Sequence, residues 1–423
     1  MASPPRSQYM TTIDRYYIDT RPLVPSPSNP KSRHSLPLLS TLQFSDQEAV
    51  TRFIRPADRF MSLASALLKY YFIHRRAKIP WSEVHISRTP HPHRRPFWEP
   101  PEDWEGQDES YPGGKQKIKG LEFNVSHQAG LVAIIGCSTP TPQLPNSHAD
   151  SLAPNLPESL DHMDLTGHHT LSLPSELIRL GVDIACTNED KRTPKDLTTQ
   201  AKFDEWVDIF AEMFSDRERR NMRVAPIHVP VVEREEGDGP GSDGDDSPTD
   251  HVNSVQRDRE AKIIQLKLRR FYAYWGLKEA YIKMVGEGLL ASWLRELEFL
   301  DVVAPPVPAQ HANHTHTHNH KNNSSSGFSV VSPETEIEKW SPPSKAEKRM
   351  TTLLRGRKVE DVDIELVAYD ADFMVATAMR GVREAEPDSS STVGESTSRR
   401  RWLKLDIEKD VRPCAEGRCR CLG

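Results

Sequence analysis

Apolar residues recur at the helical i, i+3, i+4 spacing along Phe60, Leu63, Ala64, Leu67, Leu68, Tyr71 and Phe72, which predicts a long helix with one face in a core. Upstream, Ser45 with Glu48 three residues on has the form of a capping box and predicts a short helix, which Pro56 interrupts before restarting the next as its first residue. Thr12 to Asp19 reads as an opening strand and Val84-His85-Ile86 as another. Phe123 to His127 with Leu131 to Ile135 predicts a hairpin. Leu177 to Ile184 resumes strand character, and Phe203 to Arg223 predicts one helix. Gln256 to Val285 predicts a long helix with room for a break near Gly276, and Gly286 stands where a C-cap glycine belongs. Glu296 to Val303 predicts a strand, and Val362 to Val367 with Phe373 to Thr377 a last hairpin.

Between these segments the pattern fades. Hydrophobic residues make up 36% of the 423 and prolines number 34, against an apolar share of roughly 45–50% in ordinary globular domains, so part of the chain is expected to stay unfolded. The net charge is −6, but Glu233 to Asp250 holds eight carboxylates and one arginine, a local −7 that leaves the remainder at +1. A chain so nearly neutral outside one insert, with no recognised motif, argues against nucleic-acid binding. No apolar run approaches the ~20 residues that cross a bilayer, and Met-Ala-Ser-Pro-Pro-Arg has no apolar signal core, so a cytoplasmic protein without membrane association is expected. The expected organisation is an N-terminal lobe over 1–140, a linker over 141–174, a catalytic lobe over 175–383 with disordered inserts at about 226–254 and 305–335, and a polar tail over 384–423.

Five cysteines are too few and too unevenly placed for a disulfide framework. Cys414, Cys419 and Cys421 could in principle bind metal, but their C-x4-C-x-C spacing matches no common zinc pattern, and a frayed tail is the expectation over a zinc site. His311, His314, His316, His318 and His320 lie in an Asn, Thr and Ser-rich tract and read as low-complexity loop, with no fixed metal geometry implied.

Glu279 and Lys283, four apart, share one helix face. A carboxylate that holds a divalent cation or accepts a proton, one turn from an ammonium that neutralises phosphate, suits phosphoryl chemistry. Either Gly181-Val182-Asp183 or the Glu–Lys pair alone is commonplace. Together and in order, Gly181-Val182-Asp183 and Trp275-Gly276-Leu277-Lys278-Glu279-Ala280-Tyr281-Ile282-Lys283 resemble the G-[VI]-D and F/W-x-x-K-E-[AS]-x-x-K signature of the 4'-phosphopantetheinyl transferases. Phe123-Asn124-Val125-Ser126-His127 is similar to that family's F-N-[IV]-S-H stretch, Arg95-Pro96 to its Lys-Pro, and Phe210 to Glu218 to its F-x-x-x-F-[ST]-x-x-E helix. The closest likeness is to the two-lobed, surfactin-synthetase-activating subfamily, especially its fungal members.

The resemblance implies an α+β fold of two similar lobes related by a pseudo-two-fold axis, each a small antiparallel sheet packed on a long helix. It implies transfer of the phosphopantetheine arm of coenzyme A to a serine of apo carrier domains in polyketide synthases, nonribosomal peptide synthetases and aminoadipate reductase, with release of 3',5'-ADP, by a monomer. Asp183 and Glu279 would hold Mg2+, and Glu279 and Lys283 would be the catalytic pair, with the general base left open between Glu279 and a metal-bound water. Ser126, His127, Arg95, Pro96, Lys278 and Lys283 would contact coenzyme A. Arg52, Arg55 and Lys69 are candidates for its 3'-phosphate region, with an ordinary basic surface the alternative. Many bacterial relatives carry Asp-x-Glu, whereas Asp183-Ile184-Ala185 lacks the third carboxylate. A noncatalytic coenzyme A or carrier-binding module is the competing expectation, which the intact Asp183, Glu279 and Lys283 oppose.

Overall fold

The computed structural model describes residues 9–25, 35–90, 93–108, 116–140, 178–188, 197–224, 248–288, 291–308, 339–341, 350–383 and 401–422. The expected linker, the acidic stretch up to 247, most of the His-rich tract and the segment 384–400 lie outside these residues.

Strand β1 (Asp14–Asp19) is followed by helices α1 (Phe44–Thr51) and α2 (Pro56–Ala77), then by β2 (Gln116–Gln128) and β3 (Leu131–Pro140). Pro56 occupies the first turn of α2, as its missing N–H predicts. The hairpin turns through Ala129 and Gly130, both at positive φ (48° and 91°), the backbone that matches the twist of two paired strands. The sheet runs in the order Leu403–Lys404, β1, β3, β2, Gly106–Asp108. Leu63, Leu67, Phe72 and Ile73 of α2 pack on one face of it against Phe123, Val132 and Ile134. The capping box expected at Ser45 does not form: the N-cap is Gln43, two residues earlier, and Ser45 lies inside the first turn, where its hydroxyl accepts from Gln43 Nε2 at 3.0 Å.

A second sheet begins with β4 (Arg179–Cys186) and continues after α3 (Gln200–Asp208), α4 (Asp216–Val224) and α5 (Pro248–Val285) with β5 (Val362–Tyr369) and β6 (Phe373–Arg380). Its order is Trp340–Ser341, β5, β6, β4, with all pairs antiparallel. The single helix expected over Phe203 to Arg223 is two. Ser215 N donates to Glu218 Oε2 at 2.9 Å and Glu218 N to Ser215 Oγ at 3.3 Å, a reciprocal cap that starts α4 afresh. Helix α5 runs unbroken past Gly276 and begins at Pro248, inside the stretch expected to be a disordered insert. It ends as predicted, at Gly286 with φ +89°, whose N–H donates to Ile282 O at 2.9 Å.

The two sheets also meet each other. Tyr17, Ala133 and Ile135 of the first pack against Leu180, Val182, Ile184 and Val375 of the second, so the order of layers is α2, sheet, sheet, α5. Strand β4 is an edge strand whose outer N–H groups need partners. They find them on the polar face of β2: Leu180, Val182, Ile184 and Cys186 donate to Glu122 Oε1, Asn124 Oδ1, Ser126 Oγ and Gln128 Oε1 at 3.3, 3.0, 3.3 and 3.2 Å.

The polar tail expected through residue 423 is corrected over 401–422. Leu403–Lys404 pairs in parallel with Tyr16 and Tyr17, and Leu405, Ile407, Val411 and Cys414 are buried against the α2 core. Their apolar positions are too few to show a period, which is why the pattern missed them. Among the described residues no helix is long and apolar enough to cross a membrane.

Candidate active site

Gly181 and Asp183 alternate with Val182 on β4 and so face α5 together. The glycine is there for contact: a Cβ at Gly181 would overlap the Ala280 carbonyl oxygen and lie 2.5 Å from Met284 N. With strand and helix backbones this close, Asp183 reaches the helix directly. Its Oδ1 accepts from Lys283 Nζ at 2.6 Å and from Ser126 Oγ at 3.2 Å, and Lys283 Nζ also donates to Ser126 Oγ at 3.0 Å. The residues of three separate sequence segments therefore form one hydrogen-bonded triangle.

The other oxygen, Asp183 Oδ2, is buried without a hydrogen-bond partner among the described residues and faces Gly276, where a methyl group would stand 3.9 Å from it. Gly276, Glu279 and Lys283 follow one another at i, i+3 and i+7, a single stripe of α5. Half-buried Glu279 thus sits between the two positions that meet Asp183. An orphaned carboxylate oxygen beside a second carboxylate is a donor set that fits a hard divalent cation. Ala185, next on the same face of β4, would lie 3.7 Å from a methyl at Gly276; the position of the bacterial third carboxylate is packed with a methyl group instead. Burial pushes the Asp183 carboxyl up, and the Lys283 ammonium and the hydrogen bonds oppose that shift.

Beside this triangle lies a cavity of about 270 Å³ between the N-terminal half of α2, α1 and β2. Arg52, Lys69, Arg88 and His127 line it, with Asp46 and Asp58. Lys69 is itself buried, and desolvation lowers its pKa against the pull of Asp46. His127 is open to the cavity but crowded on its other sides. Desolvation first, then the Lys283 charge, lowers its pKa, and the Asp58 carboxylate opposes that shift. A concave surface on which Arg52, Lys69 and Arg88 outnumber the two carboxylates, Asp46 and Asp58, suits a polyphosphate.

The sequence matches agree with this geometry. Residues 28–139 match the model of the 4'-phosphopantetheinyl transferase N-terminal domain, and 246–333 match that of the 4'-phosphopantetheinyl transferase superfamily. The chain is 40% identical to 4'-phosphopantetheinyl transferase A of Aspergillus fumigatus over 98% of both chains. It is 38% identical to 4'-phosphopantetheinyl transferase NpgA of Emericella nidulans over 97% of this chain and 96% of that one, and 32% identical to a 4'-phosphopantetheinyl transferase of Aureobasidium melanogenum over 94% and 95%. The chain belongs to the 4'-phosphopantetheinyl transferase family.

Within that family's motifs the structure separates residues that the sequence grouped. Asp183, Lys283 and Ser126 gather at one point, Glu279 shares the α5 stripe of Gly276 and Lys283, and Arg52, Lys69, Pro96 and His127 line the adjoining cavity. Arg55 does not line it; exposed, it precedes the first turn of α2. Lys278 is corrected. It is fully buried, 2.9 Å from Glu218 Oε2, and donates to the Leu294 and Leu297 carbonyls, so its charge joins α5 to α4 and is closed to coenzyme A. Arg95 is likewise directed inward, to Glu122, to Leu180 O at 3.1 Å and to the Lys283 and Met284 carbonyls at 3.4 Å. It satisfies the last turn of α5, just below the catalytic-candidate lysine, rather than facing the cavity. Sequence reasoning missed Asp46, Asp58 and Arg88. Nothing local marks them, because α1 and the strand Ile86–Arg88 reach the cavity only through packing.

Proposed function

We propose that this protein transfers the 4'-phosphopantetheine arm of coenzyme A to the acceptor serine of apo carrier domains of polyketide synthases, nonribosomal peptide synthetases and aminoadipate reductase, releasing 3',5'-ADP. The observation that carries the reading is the Asp183, Ser126 and Lys283 triangle under the Glu279 stripe, opening beside a cation-lined cavity. Asp183 Oδ2 and Glu279 would hold Mg2+, which when bound neutralises the pyrophosphate charge. Lys283, now bonded to Asp183 Oδ1, is placed to bind a phosphate oxygen of coenzyme A. Ser126 keeps Asp183 oriented through Oδ1. Glu279 is the group on hand to take the acceptor serine's proton as its oxygen attacks the β-phosphorus and the 3',5'-ADP oxygen leaves. His127, with Arg52, Lys69 and Arg88, binds the 3'-phosphate and adenosine end. The reading includes a cytoplasmic monomer and two similar lobes related by a pseudo-two-fold axis, supported by a sheet packed on a long helix in each half of the chain.

The test is intact mass of a purified apo carrier domain after incubation with the protein and coenzyme A, with and without magnesium. A gain of one phosphopantetheine group that requires magnesium is expected. Coenzyme A binding with no gain on any of several carrier types would favour a binding module and refute the proposal.

A further inference from the structure

The C-terminal segment brings four ligand atoms together at the C-terminal end of α2, and none of the four residues lines the active-site cavity. After pairing with β1, the chain passes through a turn of helix at Ile407–Val411 that buries Ile407 and Val411, and Arg412–Ala415 carries Cys414 onto the C-terminal end of α2. Gly417, at φ +67°, turns the chain back and returns Cys419 and Cys421 to the same place. There they meet His74, which precedes Cys419 by 345 positions. His74 Nε2 lies 3.1 Å from Cys419 Sγ, Cys414 Sγ lies 3.7 Å from Cys421 Sγ, and the four ligand atoms are all within 4.8 Å of one another.

We propose that His74, Cys414, Cys419 and Cys421 bind one zinc ion in a closed structural site. Zinc bonds of ~2.3 Å to sulfur and ~2.0–2.1 Å to nitrogen give a tetrahedron with edges of roughly 3.5–3.8 Å, which this cluster reaches by side-chain adjustment alone. The histidine is already in the required tautomer. Its Nδ1 lies 2.7 Å from the Ile79 carbonyl, which can only accept, so Nδ1 carries the proton and Nε2 presents its lone pair to the sulfurs. The sulfurs are not in a disulfide, since 3.7 Å is far beyond the ~2.05 Å bond. His74 and Cys414 are buried, as a closed site requires. Three thiolates and a zinc ion leave one net negative charge. Lys78 Nζ donates to Cys421 O at 2.8 Å, and Arg75 is in electrostatic reach of Cys421. The ion would pin the end of the chain to α2, whose earlier turns carry Asp58, Met61 and Lys69 into the cavity wall.

The test uses the full chain, purified under reducing, oxygen-free conditions from zinc-supplemented cells without chelators. Elemental analysis should return about one zinc per chain, as a four-ligand site demands. The C414S/C421S double variant should lose the metal and melt at lower temperature. Cobalt titrated into zinc-depleted wild-type protein should give the intense visible bands of a tetrahedral ion, with sulfur-to-metal charge transfer, saturating at one equivalent. This arm decides the matter even if the double variant fails to fold. Wild-type protein that holds no zinc and develops no such cobalt spectrum would overturn the proposal. So would iron in place of zinc, or a native Cys414 to Cys421 disulfide seen in the intact mass.

Discussion

Replacing Lys278 with methionine distinguishes a structural lysine from a coenzyme A ligand. Lys278 and Glu218 are both fully buried and 2.9 Å apart, and burial pushes the carboxyl up and the ammonium down, each against the charge of the other. Methionine fills nearly the same volume, so the cost is electrostatic. Glu218 is left without its cation, and the Leu294 and Leu297 carbonyls without a donor. Breaking one partner of a buried pair costs ~3–5 kcal/mol. At about 2–4 °C per kcal/mol for a unit of this size, the melting temperature should fall by roughly 6–20 °C. The assay pairs thermal unfolding by circular dichroism with transfer kinetics at varied coenzyme A, run well below the variant's Tm. KM for coenzyme A should hold within about two-fold, because ground-state binding is not touched. Adding Glu218→Gln should recover part of the lost stability, as removal of the second charge relieves the first defect. An unchanged Tm with a KM raised about ten-fold would refute the reasoning, since only a lysine that reaches phosphate behaves so.

Two further outcomes follow from the strand and helix contact. Gly181→Ala should destabilise by about 3 kcal/mol, at the upper end of overpacking costs, because backbone and not a movable side chain fills the space; a soluble variant with wild-type Tm and activity would contradict the packing account. Asp183→Asn should reduce transfer by at least about 100-fold, on the scale of removing a preorganised charged group, while Tm stays level or rises. The sign follows from the raised folded-state pKa. Between its ordinary value and that raised value the folded state binds the extra proton, so this residue's contribution falls as pH rises through the window. The asparagine variant should lose that fall, which urea unfolding across acidic pH would reveal. A variant whose stability retained the same slope there would show that another group is responsible.

The sequence by itself carried the local decisions. The period through Phe60 to Phe72 marked α2, Pro56 its start, and Gly286 the end of α5, because propensity and capping act within a turn or two. Motif order marked Asp183, Glu279 and Lys283. What it could not show was which neighbour covers each face. Lys278 and Lys283 lie on one helix and look alike, yet the first is closed under the Leu294 to Leu297 turn while the second meets Asp183. Asn124 and Ser126 were visible as a motif, but their work on the N–H groups of β4 exists only once two sheets are brought face to face. Arg95 looked like a phosphate ligand and is a helix-end donor for the same reason. The cysteines are the extreme case. Three of four metal-site candidates are local and the fourth is on α2, so no spacing rule could join them before the chain folded back. Periodicity identifies a buried face; only tertiary packing determines what that face touches.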